Sequence, residues 1–94
     1  MGRVELRIAA QFYPGFEKTE VQLAESCTLY RLLEQWSAEH APGLMEQLFN
    51  PDTLVLREGV LILINGKAVQ QEDAHKSSIA PGDTVTVLPV IVGG

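Results

Sequence analysis

The sequence has too little cysteine and histidine for several classes of site. Cys27 is the single cysteine in 94 residues, so an internal disulfide, a zinc site built from cysteine pairs and a four-thiolate iron–sulfur cluster are all excluded. His40 and His75 have no Cys, His or acidic neighbours at a metal-ligand spacing. We therefore expect no metal site, interpret Cys27 as a buried filler residue, and expect a reducing, cytoplasmic location.

Basic residues and long apolar runs are also scarce. Seven Lys and Arg stand against 12 Asp and Glu, and this acidic balance is repelled by a nucleic-acid backbone. No apolar stretch has the length of a signal peptide or a membrane span. We therefore expect neither nucleic acid nor a membrane as a partner. Residues 1–94 suffice for one domain with a single core and leave little room for a catalytic pocket, so an enzyme is not expected.

The first part of the chain predicts a β-hairpin followed by a helix. Residues 3–8 and 18–23 alternate apolar and polar side chains, and Tyr13-Pro14-Gly15-Phe16 between them has the composition of a turn. The spacing then changes to that of one helical face, with Thr28 as N-cap and an end near His40, at Leu29, Leu32, Leu33 and Trp36. Residues 44–49 predict a further short helical turn.

The second part of the chain predicts three more strands. Val60 to Ile64 is an apolar run followed by Asn65-Gly66, a pair suited to a type I′ turn, and by a short partner strand at 67–69. Residues 70–78 are polar and weakly patterned. Pro81-Gly82-Asp83 introduces a last strand that we expect to end at Pro89, which has no amide proton, leaving a flexible tail at 90–94.

This order of elements predicts an α+β fold. Two hairpins flanking one helix form a mixed sheet of about five strands, with the main helix packed on one face. A right-handed crossover after the helix places the first and last strands side by side and parallel. The prediction is therefore a single β-grasp domain of the ubiquitin-like type.

Four features, in this order, resemble the ThiS/MoaD family of ubiquitin-like sulfur carriers, most closely its molybdopterin synthase small-subunit (MoaD) branch. They are Ile64-Asn65-Gly66, Pro81-Gly82-Asp83, Leu88-Pro89 and the final Gly93-Gly94, and the likeness spans essentially the whole chain. Val90 and Val92 stand where many members of that branch have a second proline and a small residue. A carrier for thiamin or another sulfur pathway, and a protein modifier, therefore stay open.

The resemblance implies a division of chemistry between the chain and its partners. Gly94 supplies an ionised carboxylate, which a ubiquitin-activating-type adenylyltransferase (MoeB/ThiF-like) adenylates with ATP and which then becomes a thiocarboxylate. Gly93 leaves no side chain to obstruct a narrow passage. A larger synthase subunit (MoaE-like) is the implied recipient of the sulfur. The chain itself is expected to bind no cofactor and to supply the reacting group without catalysing the reaction.

Strand parity predicts a docking surface beside the tail. If Val60, Ile62 and Val87 face the helix, then Leu61, Leu63 and Leu88 face outward, near Ala9. Exposed apolar clusters often mark interaction sites. The predicted partner-binding residues are Ala9, Leu61, Leu63, Leu88, Pro89, Val90 and Val92, with Glu5, Glu58 and Asp83 available for steering. Two alternatives remain: burial of these leucines under residues 44–49, and a β-grasp interaction module whose tail carries nothing.

Overall fold

A computed structural model of the protein describes residues 2–12 and 18–90. The predicted turn at Tyr13-Pro14-Gly15-Phe16 and the predicted site residues Val92, Gly93 and Gly94 lie outside these residues. The elements, in chain order, are β1 (Gly2–Ile8), β2 (Lys18–Leu23), β3 (Cys27–Thr28), α1 (Leu29–His40), α2 (Leu44–Leu48), β4 (Val60–Ile64), β5 (Lys67–Ala68), a 3₁₀ turn (Ala74–Lys76), β6 (Ser78–Ile79) and β7 (Thr84–Pro89).

Five of the strands form one mixed sheet in the order β2-β1-β7-β4-β5. β1 and β7 are parallel, whereas the other neighbours are antiparallel. The predicted fold class, the parallel pairing of the first and last strands and the β4–β5 hairpin are therefore confirmed. The predicted element order omitted β3 and β6, which pair with each other as a separate two-stranded sheet. Strands of two residues are too short to show an alternation that sequence patterns reveal.

The core lies between the inner face of the five-stranded sheet and α1. Val4, Leu6 and Ile8 are at most 2% exposed, as their alternation predicts. On α1 the predicted apolar stripe is buried, and the Thr28 hydroxyl accepts a hydrogen bond from the Arg31 N–H at 3.2 Å, which confirms Thr28 as the N-cap. Because this stripe is buried in the core, α1 packs with its apolar face toward the sheet.

The α2 segment lies on the same side of the sheet as α1. Leu44, Leu48 and Phe49 are buried in the core, and the Phe49 ring meets Tyr30 of α1 edge-on at 5.4 Å. Arg57 anchors the segment, because its backbone N–H donates to the Leu48 carbonyl and its guanidinium donates to the Glu46 carbonyl. The alternative in which residues 44–49 cover the outward leucines is therefore wrong.

Two turns at one end of the sheet hold each other in place. Asn65 and Gly66 have φ values of +52° and +82°, as a type I′ turn requires. The Asn65 amide donates to the Asp83 carboxylate at 3.0 Å, and the Ala80 N–H donates to its other oxygen at 2.8 Å. The Asn65 amide first, and the Ala80 N–H second, lower the pKa of Asp83. Asp83 thus stabilises a turn, and its role in steering stays a prediction.

We expect Asp83→Asn to lower the free energy of unfolding at neutral pH, because it weakens the hydrogen bonds from Asn65 and Ala80. The loss should be only about 1 kcal/mol, because solvent screens this half-buried carboxylate. The pKa of Asp83 is lower in the folded protein, so its contribution is present above the unfolded pKa and is lost as pH falls through the folded pKa. Urea unfolding at pH 7 and pH 3 measures both effects. A decrease at pH 7 that persists unchanged at pH 3 would contradict the assignment, and Asp52→Asn provides the same charge change at an exposed loop.

Candidate functional site

Four apolar residues form a contiguous surface on the sheet face away from α1. Leu61 of β4 pairs directly with Leu88 of β7, and the Ala9 N–H donates to the Val87 carbonyl at 3.0 Å, which places Ala9 beside Leu88. Leu63 lies two residues along β4 from Leu61. All four are half-buried, and within the described residues none belongs to the core or packs against it. We call Ala9, Leu61, Leu63 and Leu88 the outer patch.

The tail leaves from the middle of the sheet. β7 lies between β1 and β4, and the backbone continues one hydrogen bond past Pro89, where the Val90 N–H donates to the Gly59 carbonyl at 2.9 Å. Val90 is 40% exposed and borders a shallow hollow with Glu58, Leu61 and Gln71. The last strand thus ends at Pro89, as its missing amide proton predicts, and one further backbone hydrogen bond holds Val90. The flexible tail at 90–94 stays a prediction. The outer patch adjoins this anchored position.

Pro89 lies on the other side of the sheet from the outer patch. It pairs with Val60 and has the strand parity of Val85 and Val87, whose side chains are buried toward α1. Pro89 itself is half-buried. Of the predicted partner-binding residues, the structure therefore brings together the outer patch and Val90. It places Pro89 at the end of β7, on the opposite face of the sheet.

A strip of ion pairs borders the outer patch on β1 and β2. Glu5 lies between Arg7 and Lys18, with its carboxylate 3.3 Å from the Lys18 ammonium. The hydrogen bond from Arg7 is the main cause that lowers the pKa of Glu5. Glu5 is thus paired within the sheet, so of the three acidic residues predicted to steer a partner, Glu58 is the exposed one that lies beside Val90. Steering by these three residues stays a prediction, with Glu58 the most exposed of them.

Within the described residues, neither Cys27 nor a metal-ligating cluster offers a second reactive site. Cys27 is half-buried against the core, and burial raises the pKa of its thiol, which disfavours the reactive thiolate. The described residues contain no group of three or more His, Cys, Asp or Glu able to hold a metal ion. None of the helices in the described part of the chain is long and apolar enough to span a membrane.

Gly59 is the site residue that sequence patterns did not single out. Its φ of +85° is unfavourable for residues with a side chain, and its carbonyl fixes the last described backbone group of the tail. Two residues earlier, Arg57 ties the same turn to α2. The signal in the sequence is a glycine directly before an apolar strand, which indicates a turn but cannot reveal that the turn receives β7.

The parallel central pair and single main helix define a ubiquitin-like β-grasp protein. The sequence model of the ThiS family matches residues 6–94, and the chain belongs to this family of ubiquitin-like sulfur carriers and modifiers. A comparison with curated protein sequences finds no significant match.

Solved structures of the same fold cover nearly the whole chain. Small archaeal modifier protein 1 (SAMP1) from Haloferax volcanii is 25% identical over 99% of this chain and 100% of its own, with a TM-score of 0.74. A chain of the BexX/CysO complex from Amycolatopsis orientalis is 21% identical over 97% and 99%, with a TM-score of 0.75. A Pyrococcus furiosus protein assigned as molybdopterin converting factor, subunit 1, is 24% identical over 97% and 100%, with a TM-score of 0.68.

Proposed function

We propose that the protein is a sulfur carrier that delivers a thiocarboxylate on Gly94, most specifically for molybdopterin biosynthesis. The observation that carries this proposal is the position of Val90, which is hydrogen-bonded to Gly59 at the centre of the sheet and adjoins the outer patch. Four residues follow Val90 in the sequence and reach at most about 14 Å when fully extended. A partner docked on the outer patch would therefore have Gly94 within reach of its active site.

The proposed chemistry has two steps. A carboxylate oxygen of Gly94 attacks the α-phosphate of ATP and releases pyrophosphate, giving an acyl-adenylate. Sulfide from a donor then attacks the carbonyl carbon and releases AMP, giving the thiocarboxylate. Both steps take place in an adenylyltransferase of the ubiquitin-activating type (MoeB/ThiF-like). The carrier contributes the carboxylate and the docking surface and binds no cofactor of its own.

The outer patch suits two partners that bind in turn. Covering its leucines removes apolar surface from water, which favours docking. Because the patch is apolar, docking there buries no charged group of the carrier. The adenylyltransferase and a larger molybdopterin synthase subunit (MoaE-like) are the proposed occupants, in a cytoplasmic setting. Because both would use the same patch, the loaded carrier must dissociate from the first before it binds the second.

A second candidate function is protein modification. It is favoured by the likeness to small archaeal modifier protein 1 from Haloferax volcanii, which extends over 99% of this chain and 100% of that one. In this case the Gly94 adenylate would be attacked by a lysine ammonium after loss of its proton, forming an isopeptide and releasing AMP. Intact conjugates on a blot against a tagged chain distinguish this outcome, because residues 90–94 contain no trypsin site.

Intact mass spectrometry tests the carrier hypothesis. Incubation with the cognate adenylyltransferase, ATP and a sulfide donor should raise the mass by about 16 Da, the difference between sulfur and oxygen. Omitting ATP should abolish the shift. Failure to gain this mass with an enzyme that adenylates the chain would rule out the sulfur step and leave modification as the better explanation.

A further inference from the structure

β2 is an edge strand with a free row of backbone groups. In the five-stranded sheet it pairs with β1 alone. The Ala9 N–H donates to β7 at Val87. The Glu5 N–H donates to Asp83 and the Arg3 carbonyl accepts from Gly82, both in the turn that leads into β7. The odd-numbered residues of β1 therefore bond to β7, so the even-numbered residues bond to β2.

This alternation determines which groups of β2 are unpaired. The β2 residues that pair with the even-numbered residues of β1 are Thr19, Val21 and Leu23. Their backbone N–H and carbonyl groups therefore point toward β1. The N–H and carbonyl groups of Glu20 and Gln22 then point outward, and within the described residues no other strand reaches them. Such an edge is a template for one more strand.

A groove runs along this edge, between β2 and α1. It comprises two adjoining hollows of about 810 and 530 Å³, which share Gln22 and Gln35. The side chains of Val21 and Leu23 form its sheet wall, and those of Gln35 and Trp36 contribute to its helix wall. A strand added to β2 would place every second side chain in this groove.

The groove is acidic. Its charged lining consists of three carboxylates and one guanidinium, with His40 at one end: Glu25, Glu34, Glu39 and Arg31. Glu39 lies 3.8 Å from His40, whereas the Glu20 carboxylate pairs with Arg3 at 3.2 Å on the other face of the sheet. Glu25 and Glu34 are exposed. Lysine stems could cover Val21 while their ammonium groups reach these carboxylates.

We propose that the free edge of β2 and the groove beside α1 bind an extended, basic peptide segment of a partner protein as an additional strand. The backbone of Glu20 and Gln22 supplies the hydrogen bonds, and the acidic groove selects lysine or arginine at alternate positions. This site lies at the edge of the sheet, whereas the tail leaves from its central strand, so both can be occupied at once.

A second copy of the chain fits the edge less well than a basic peptide does. Antiparallel pairing of two β2 strands would place both α1 helices on one face of the joined sheet. The carboxylates of Glu34 and Glu39 from the two copies would then approach each other on that face, and the repulsion between like charges is destabilising. The charge of the groove therefore favours a different, basic partner.

The test is an NMR titration of the isotope-labelled full chain with an eight-residue peptide that alternates lysine and valine. We expect the largest shifts, and slower amide exchange, at Glu20 and Gln22. The double variant Glu34→Lys/Glu39→Lys should weaken binding about tenfold. The control Glu46→Lys/Asp52→Lys makes the same charge change outside the groove and should leave the affinity within about twofold of the parent.

Matched peptides separate strand addition from simple charge attraction. A peptide alternating lysine and proline has the same charge but lacks half of the N–H donors, so it should bind far more weakly. Equal binding of the two peptides, shifts confined to the outer patch, absence of shifts at about 1 mM peptide, or self-association through β2 would each overturn the proposal. A chain lacking Gly93 and Gly94 should bind the peptide as the parent does, which keeps this result independent of the carrier function.

Discussion

Deleting Gly93 and Gly94 will slow thiocarboxylate formation at least a hundredfold and leave the fold unchanged. The deletion moves the terminal carboxylate back by two residues, which shortens its reach from Val90 by about 7 Å. Because misplacement of a reacting group by about 1 Å can reduce a rate a hundredfold, the remaining carboxylate at Val92 should react at least a hundredfold more slowly. The measurement is the gain of sulfur mass over time with the cognate adenylyltransferase.

A length-matched variant separates reach from space. Gly94→Ala retains the carboxylate position but adds a methyl group beside the reacting carbon, so we expect slower loading than in the parent and faster loading than in the deletion. Urea unfolding should give the same free energy for all three proteins, since every core and sheet residue in the described part of the chain comes before residue 91. If the deletion variant gains sulfur at the parent rate, Gly94 is not the residue that bears the thiocarboxylate.

Local patterns were sufficient to predict the elements that frame the site. The alternation in β1 assigns Val4, Leu6 and Ile8 to the core, and the same period of two assigns Leu61 and Leu63 to the outside once Ile62 is inside. The Thr28 cap and the Asn65-Gly66 turn follow from the preferences of single residues. These features depend on neighbours within a few positions of the chain.

The features that sequence patterns missed all depend on contacts distant in sequence. The hydrogen bond between Val90 and Gly59 joins residues 31 positions apart, and that between Asn65 and Asp83 joins residues 18 apart. The latter explains why two motifs of the resemblance occur together: one turn supplies the amide that holds the other. Propensity cannot show such pairings, because they arise only when the sheet has assembled.

The path of α2 was also beyond prediction from the sequence. Apolar residues at 44–49 indicate burial without indicating which side of the sheet they cover. The side is decided by the Phe49–Tyr30 ring contact and by Arg57, which bonds to two carbonyls of the segment. This placement keeps α2 off the outer patch, so the proposed docking surface depends on a connection remote from it.

Leu88→Asp should weaken binding of the adenylyltransferase by about 10- to 100-fold. Covering a leucine side chain contributes about 1.5–3 kcal/mol, and an aspartate in its place brings a carboxylate that must lose water on docking. Leu88 lies opposite Leu61 and beside Ala9, so its side chain occupies the middle of the outer patch. Central, desolvated residues dominate the energy of most interfaces.

Calorimetry with the cognate adenylyltransferase measures this loss, and two variants interpret it. Leu88→Met keeps the volume and apolar character and should bind within about threefold of the parent. Gln47→Asp adds the same charge at an exposed position of α2, remote from the outer patch, and should also bind normally. Because Leu88 lies outside the core, Leu88→Asp should still unfold cooperatively. If folded Leu88→Asp binds as tightly as the parent, the docking surface does not include this face of the sheet. Because residues 91–94 can span only a short distance, the partner would then have to approach from the side of Pro89.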